Sequence, residues 1–248
     1  MPQFFIDRKF CTGGEIEIRG GDARHISQVL RLRAGDWILL SDGGGRSFRA
    51  IIRSVSSQSV RAEIEEEIRR PEAKSPPALA LAIIKGDRFE WALEKAVELG
   101  TRRIIPFCSA RTVPQYAAAA GARKAERWQK IAVAAAKQSG LPFRPQVDEP
   151  RSFADLLKLS KKFNRAVLLY EGEKRTSIAD LGEKGCRSSE DIIIIGPEGG
   201  FTDDEVGLAT AAGAIAVSLG AQILRVETAA IAAIAIWQYE LGNMNTGS

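Results

Sequence analysis

The chain carries one histidine, His25, and three cysteines, Cys11, Cys108 and Cys186, in 248 residues. One imidazole and no C-x-x-C pair leave too few ligands for a zinc centre, so no metal is expected. An odd number of widely separated thiols suits reduced cysteines in a cytosol better than a disulfide framework. Long apolar runs are missing too. The most apolar helical stretch, around residues 229–237, is shorter than the roughly 20 residues that span a bilayer, and Glu227 and Gln238 flank it. No secretory leader is visible. The expected location is cytoplasmic, with no membrane partner. Internal repeats and low-complexity tracts are absent as well.

Excess charge of one sign is also lacking: 35 Lys and Arg against 31 Asp and Glu leave a formal net charge of +4. Mild basicity allows a nucleic-acid partner without establishing one. Distribution is more informative. In a helix predicted over residues 117–138, Arg123, Arg127, Lys130 and Lys137 recur at helical spacing opposite Trp128 and Ile131. Such a stripe suits RNA phosphates, and spacing alone fits a solvated amphipathic face about as well.

What the chain does have is an abrupt chemical boundary. Ile192, Ile193, Ile194 and Ile195 suit a strand buried on both faces. They run into Gly196-Pro197-Glu198-Gly199-Gly200-Phe201, after which Thr202 and Glu205 make a capping box that opens a helix. The three glycines let main chain approach a ligand closely. A strand, glycines and a helix start usually signal phosphate. Glu198 argues against that, and the spacing fits neither the dinucleotide fingerprint nor the P-loop. A neutral or cationic ligand gripped by main-chain groups fits better; a tight turn whose glycines serve only packing is the bland alternative.

Two further strands end in the same manner. Residues 165–170 stop at Glu171-Gly172. Residues 214–219 stop at Gly220, after which Ala221-Gln222-Ile223-Leu224-Arg225-Val226-Glu227 leads into an Ala-rich helix over 228–241. Three strand ends that break into glycine or charge suggest one site, because open α/β sheets bind ligands beyond the carboxyl ends of their strands.

Residues 1–70 read as a small β domain, with strands at 4–6, 37–40, 48–52 and 60–64 and a hairpin turn at Asp42-Gly43-Gly44-Gly45. Between the first strands, a helix over 22–32 should expose Arg24, Gln28 and Arg31 and turn Ile26, Val29 and Leu30 inward. A small barrel bearing a basic helix suits RNA docking. His25, at the helix start, is expected to cap, pack or touch RNA rather than move a proton. Residues 71–77, rich in proline and charge, read as a linker. The remainder, 78–248, alternates strand and helix as an α/β layer. It opens with a strand at 78–84, then a helix capped by Asp87 with Glu90 at the third position, then a strand at 104–107. The tail over 242–248 is polar and expected to fray.

These residues resemble the RsmE-type ribosomal RNA uridine-N3 methyltransferases of the SPOUT superfamily. Three groups carry the resemblance in the second domain: Ile195-Gly196-Pro197-Glu198-Gly199-Gly200-Phe201-Thr202; Leu219-Gly220 with Ile223-Leu224-Arg225 and Glu227-Thr228-Ala229; and Lys85-Gly86-Asp87-Arg88 leading to Lys95 and Glu98-Leu99-Gly100. His25-Ile26, Val29-Leu30-Arg31-Leu32, Gly35-Asp36, Trp128, Lys130-Ile131 and Gln138-Ser139-Gly140 extend it over almost the whole chain. The resemblance implies an α/β fold with a deep carboxyl-terminal trefoil knot behind a PUA-like barrel, S-adenosylmethionine as cofactor, 16S ribosomal RNA of the small subunit as partner, and a homodimer. A donor with a sulfonium and no phosphate is compatible with a glycine loop that contains Glu198. The chain departs from the family at Gln3, Leu141 and Gln222, where relatives often carry Arg, and each loss is expected to remove a cation from an RNA-facing surface.

The resemblance also distributes roles. Ile195, Gly196, Pro197, Gly199, Gly200, Leu219, Gly220, Ile223 and Leu224 should contact the donor, with Leu169, Tyr170 and Glu171 on its other side. Arg24, Arg31, Arg123, Arg127 and Lys130 should meet RNA. Attack by uracil N3 needs proton loss and stabilisation of the charge that develops. Arg225 is the candidate for holding the uracil or its flanking phosphate, since a guanidinium donates paired hydrogen bonds and stays charged. Glu198 is the candidate for orienting the base or relaying its proton, or else it braces the loop. The rival readings are a methyltransferase acting on another RNA position, a base nitrogen or a ribose 2′-oxygen, and a non-catalytic RNA-binding assembly factor.

Overall fold

The computed structural model describes residues 1–7, 14–69, 74–112, 118–183 and 190–244. Cys11, Cys186, part of the expected linker and the last four residues lie outside them. The chain divides into two compact units, one of Met1–Glu72 with Ala136–Arg144, the other of Ala73–Ala135 with Pro145–Ser248.

The first unit is a curled five-stranded sheet. Its strands are β1 (Gln3–Phe5), β2 (Glu15–Arg19), β3 (Trp37–Ser41), β4 (Ser47–Val55) and β5 (Ser59–Ile68), in the order β1-β3-β4-β5-β2. Only β1 and β3 run parallel. Period-two alternation sends Ile16, Ile18, Phe48, Ala50, Ile52, Val60 and Ala62 into one core with Phe4, Ile26, Ile38 and Leu40. Register shifts at Arg49/Ala50 and Ile52/Ser54 bend the long β4–β5 ladder, as bulges do. The Asp42–Gly45 turn forms as expected, with the Asp42 carboxylate accepting from the N–H groups of Gly44 and Arg46. Strand β2, short and with only two apolar residues, escaped the sequence reading.

The expected helix over 22–32 is largely replaced. A single α-turn, α1 (Gly21–Arg24), passes into one π-helical turn at His25–Val29, and Arg31 takes a left-handed φ of 54°. The wider turn changes the angular step between side chains. Ile26 stays buried, whereas Val29 is 70% exposed and Leu30 is exposed as well. His25 is also exposed and stands edge-on to Phe4, with 6.2 Å between ring centroids.

Segment 136–144 docks onto this first unit. Lys137 pairs with Asp22 at 2.7 Å, Ser41 Oγ donates to the Pro142 carbonyl at 2.7 Å, and Gln3 Nε2 donates to the Leu141 carbonyl at 2.6 Å. Gln3 is only 4% exposed. That corrects its assignment to an RNA-facing surface: the side chain is spent inside the unit.

The second unit is an all-parallel sheet of β6 (Ala78–Ala82), β7 (Arg103–Cys108), β8 (Gln146–Val147), β9 (Arg151–Ser152), β10 (Arg165–Leu169), β11 (Asp191–Ile195) and β12 (Ile215–Val217). The order is β12-β10-β11-β6-β7-β8, with β9 also on β7. Among the described residues, six helices accompany it: α2 (Arg88–Glu98), α3 (Ala118–Gln138), α4 (Phe153–Ser160), α5 (Asp180–Glu183), α6 (Asp203–Ala211) and α7 (Val226–Glu240). All five residues of β6 and all five of β11 are buried, which accounts for their uninterrupted apolar character. On one face Ala80, Ile105, Phe107, Leu168, Ile192 and Ile194 pack with Phe153, Leu156 and Ala209 of α4 and α6. Helix α7 packs along α2, and Phe89 of α2 meets Trp128 of α3 at 4.4 Å. Asp87 precedes α2, but its side chain makes no capping bond. Its backbone is already helical, at φ −80° and ψ −5°, rather than in the extended conformation typical of a capping residue.

Candidate functional site

Three loops meet at the carboxyl ends of β10, β11 and β12. They form an open cleft that is continuous with solvent. Of the twelve residues expected to hold a donor, eleven line it: Leu169, Tyr170, Glu171, Ile195, Gly196, Pro197, Gly200, Leu219, Gly220, Ile223 and Leu224. Gly199 does not. It sits under the Arg111 side chain, whose Nη1 donates to the Gly199 carbonyl at 2.6 Å. Phe201, Ser218, Gln222, Val226 and Ala229 complete the wall.

The glycine loop is held from several directions. Phe201 is buried beside Phe107 and Phe153 and anchors the loop in the sheet's core. A Cβ on Gly196 would stand 2.9 Å from the Phe201 ring, so glycine is required there by packing. Gly200 has a φ of 67°, and a Cβ would land on the Glu171 carboxylate. Thr202 and Glu205 form the expected reciprocal cap. Glu205 also reaches across the sheet, accepting from the Ala110 N–H at 2.8 Å. Arg88 pairs with Glu198 at 2.5 Å, tying α2 to the loop tip.

The other walls differ in character. Tyr170 Oη donates to Asp203 at 3.3 Å, and its hydroxyl is held above the usual phenol range, first by burial and then by the Asp203 charge. The main-chain N–H groups of Leu219, Ile223 and Leu224 have no acceptor among the described residues, so they remain available to a ligand. Ile223 is 86% exposed. Arg225 is the N-cap of α7; its side chain is exposed and makes no hydrogen bond or ion pair among the described residues. Glu227, two residues on, is buried.

The candidate RNA residues are all exposed. Arg24 and Arg31 belong to the first unit, and Arg123, Arg127 and Lys130 lie along α3 in the second. Arg127 is engaged with Glu90 at 2.7 Å, whereas Lys130 has no partner among the described residues. Arg111 escaped the sequence reading because its acceptor is 88 positions away. Phe201 was given no role from the sequence, although an apolar aromatic closing a glycine run is the signal that could have found this anchor. No group of residues able to hold a metal ion occurs among the described residues, and no described helix is long and apolar enough to cross a membrane.

The cleft suits a donor such as S-adenosylmethionine on the chemistry of its groups. It offers unpaired main-chain donors, apolar walls, glycines whose Cβ atoms would intrude, and no phosphate-binding lysine. Comparison with known proteins agrees. Residues 71–238 match the RNA methyltransferase domain family, and residues 18–65 match the RNA methyltransferase PUA domain. The chain is 33% identical to the ribosomal RNA small subunit methyltransferase E of Bacillus subtilis, over 97% of each chain. It superposes on the crystal structure of that enzyme from Neisseria gonorrhoeae bound to S-adenosyl methionine with a TM-score of 0.84, at 31% identity over 96% of this chain and 97% of that one. A putative methyltransferase from Legionella pneumophila, in complex with the same cofactor, also gives 0.84, at 28% identity over 96% of both chains. The curled sheet, the parallel sheet, the loop cleft and these likenesses lead to one conclusion: the chain belongs to the ribosomal RNA small subunit methyltransferase E family.

Proposed function

We propose that this chain methylates N3 of a specific uridine in 16S ribosomal RNA, using S-adenosylmethionine, as a modification step in assembly of the small ribosomal subunit. The observation that carries the reading is the cleft at the ends of β10, β11 and β12, lined mainly by glycines and apolar residues with Glu171 as the one charged residue among the described lining residues and no phosphate-binding cation. Bound there, the cofactor supplies an electrophilic methyl group on a sulfonium. Main-chain groups of Leu219, Ile223 and Leu224 would hold the cofactor, and Gly196, Pro197 and Gly200 would let backbone approach it closely. By fixing the cofactor against the incoming base, these walls would supply much of the rate through alignment.

Arg225 stands at the start of α7, between cleft-lining Leu224 and Val226, with its guanidinium free among the described residues. Paired donors there grip the uracil or a flanking phosphate and offset the negative charge that develops as N3 loses its proton. Glu198, paired with Arg88, braces the loop tip. Arg24, Arg31, Arg123, Arg127 and Lys130 contact RNA phosphates, Arg127 on release from Glu90. The reading includes a PUA-like RNA-docking domain over 1–70, a linker over 71–77 and a SPOUT domain over 78–248. The last carries a trefoil knot, pairs with a second copy as a homodimer, and works in the cytoplasm.

The test uses labelled cofactor with small-subunit particles and with naked 16S RNA, followed by mapping of the modified nucleoside. N3-methyluridine is expected. Label on a ribose 2′-oxygen or on another base would overturn the acceptor assignment. In parallel, Arg225→Ala should bind cofactor normally in calorimetry and lose methyl transfer.

A further inference from the structure

Among the described residues that line the cleft, Glu171 is the only one with a charged side chain. It stands two residues past the end of β10, is exposed, and makes no hydrogen bond or ion pair among the described residues. Its carboxylate lies against Gly200, where any Cβ would collide with it. The Glu171 charge is also among the influences that raise the neighbouring Tyr170 hydroxyl, after burial and Asp203. Of the cations around the cleft, Arg111 donates to the Gly199 carbonyl and Arg88 to Glu198, while Arg225 flanks the wall at the start of α7 without lining it. Among the described residues, the charge that the cleft wall itself presents is therefore negative.

We infer that Glu171 is a specificity-determining group that makes the cleft prefer the cationic methyl donor to the uncharged-sulfur product left after transfer. The inference rests on the reading of the cleft as the S-adenosylmethionine site. Transfer converts a sulfonium into a neutral thioether, so the ligand left behind carries one positive charge fewer than the ligand that entered. Adenine, ribose and amino-acid parts are common to both, and contacts to them cancel in the comparison. A free carboxylate on the wall acts on the difference alone. It favours exchange of spent product for fresh donor without a movement of the protein.

Calorimetric titration of S-adenosylmethionine and S-adenosylhomocysteine into the wild-type chain, Glu171→Gln and Glu171→Asp tests this. Glu171→Gln should weaken donor binding by roughly three- to fivefold, the scale of a solvent-screened charge pair, and leave product binding unchanged. Glu171→Asp should keep the preference in direction, and added salt should erode it in the wild type. An equal loss for both ligands would overturn the inference, since Glu171 would then hold a part they share. An unchanged ratio of affinities would overturn it too. A wild-type chain that binds neither ligand would instead bring down the cofactor reading itself, and this inference with it. Thermal melts identify a variant that has failed to fold, in which case Glu171→Asp and the salt series carry the comparison.

Discussion

Arg88 and Glu198 meet at 2.5 Å although 110 positions separate them, so the first residue of α2 holds the tip of the glycine loop. Both side chains are roughly 40% exposed, which limits such a pair to about 0.2–1 kcal/mol. Its value lies in position rather than stability. Arg88→Ala and Glu198→Gln should each weaken cofactor binding several-fold, and a double-mutant cycle on binding should give a coupling within that range. A Glu198 engaged in bracing leaves the pH dependence of transfer unaltered in Glu198→Gln. Loss of an acidic limb from the rate profile would instead assign the carboxylate to proton relay.

Gly196 and Gly200 are constrained for different reasons and should respond differently. Gly196→Ala drives a Cβ toward the buried Phe201 ring, which is wedged beside Phe107 and Phe153. Overpacking of this kind costs about 1–3 kcal/mol, so the melting temperature should fall along with cofactor affinity. Gly200→Ala adds strain at a φ of 67° and displaces Glu171. Because the exposed Glu171 side chain can swing aside, backbone strain should dominate the loss, and adding Glu171→Ala should recover little of it, as denaturant titration would measure.

The Thr202–Glu205 box caps α6, and Glu205 also accepts from Ala110. Thr202→Ala removes one capping acceptor and should cost about 1 kcal/mol. Glu205→Ala removes the reciprocal cap and the link to the loop after β7, and should cost more. Chemical denaturation of the two variants gives the order directly.

Cys108, at the end of β7, has its thiol pushed up by partial burial. The folded state then holds the proton more tightly than the unfolded chain. The associated stability is present below the unfolded thiol pKa of about 8.5 and is lost as pH rises beyond it. Alkylation at pH 7.5 should accordingly be slow in the native protein and accelerate in denaturant, as mass spectrometry of the Cys108 peptide would report. Rapid native labelling would contradict the raised value.

Strand β11, the glycine loop, the Thr202 cap and α7 were legible because each rests on neighbours in the chain. Four isoleucines, a glycine run, a Thr-x-x-Glu spacing and an alanine-rich stretch all act over a few residues. The donor side was legible through resemblance to a family and through the way three strands end. Long-range choices decided the rest. The π-helical turn that exposes Val29 and Leu30, the burial of Gln3 against the Leu141 carbonyl, and the diversion of Arg111 to Gly199 each depend on a partner or on packing that local periodicity does not encode. Burial and directional hydrogen bonds select among conformations that short-range propensity leaves close in energy. The sequence by itself therefore specified which segments form the walls of the cleft, and the parallel crossovers of the sheet decided which side chains brace those walls and which one leaves its charge on them.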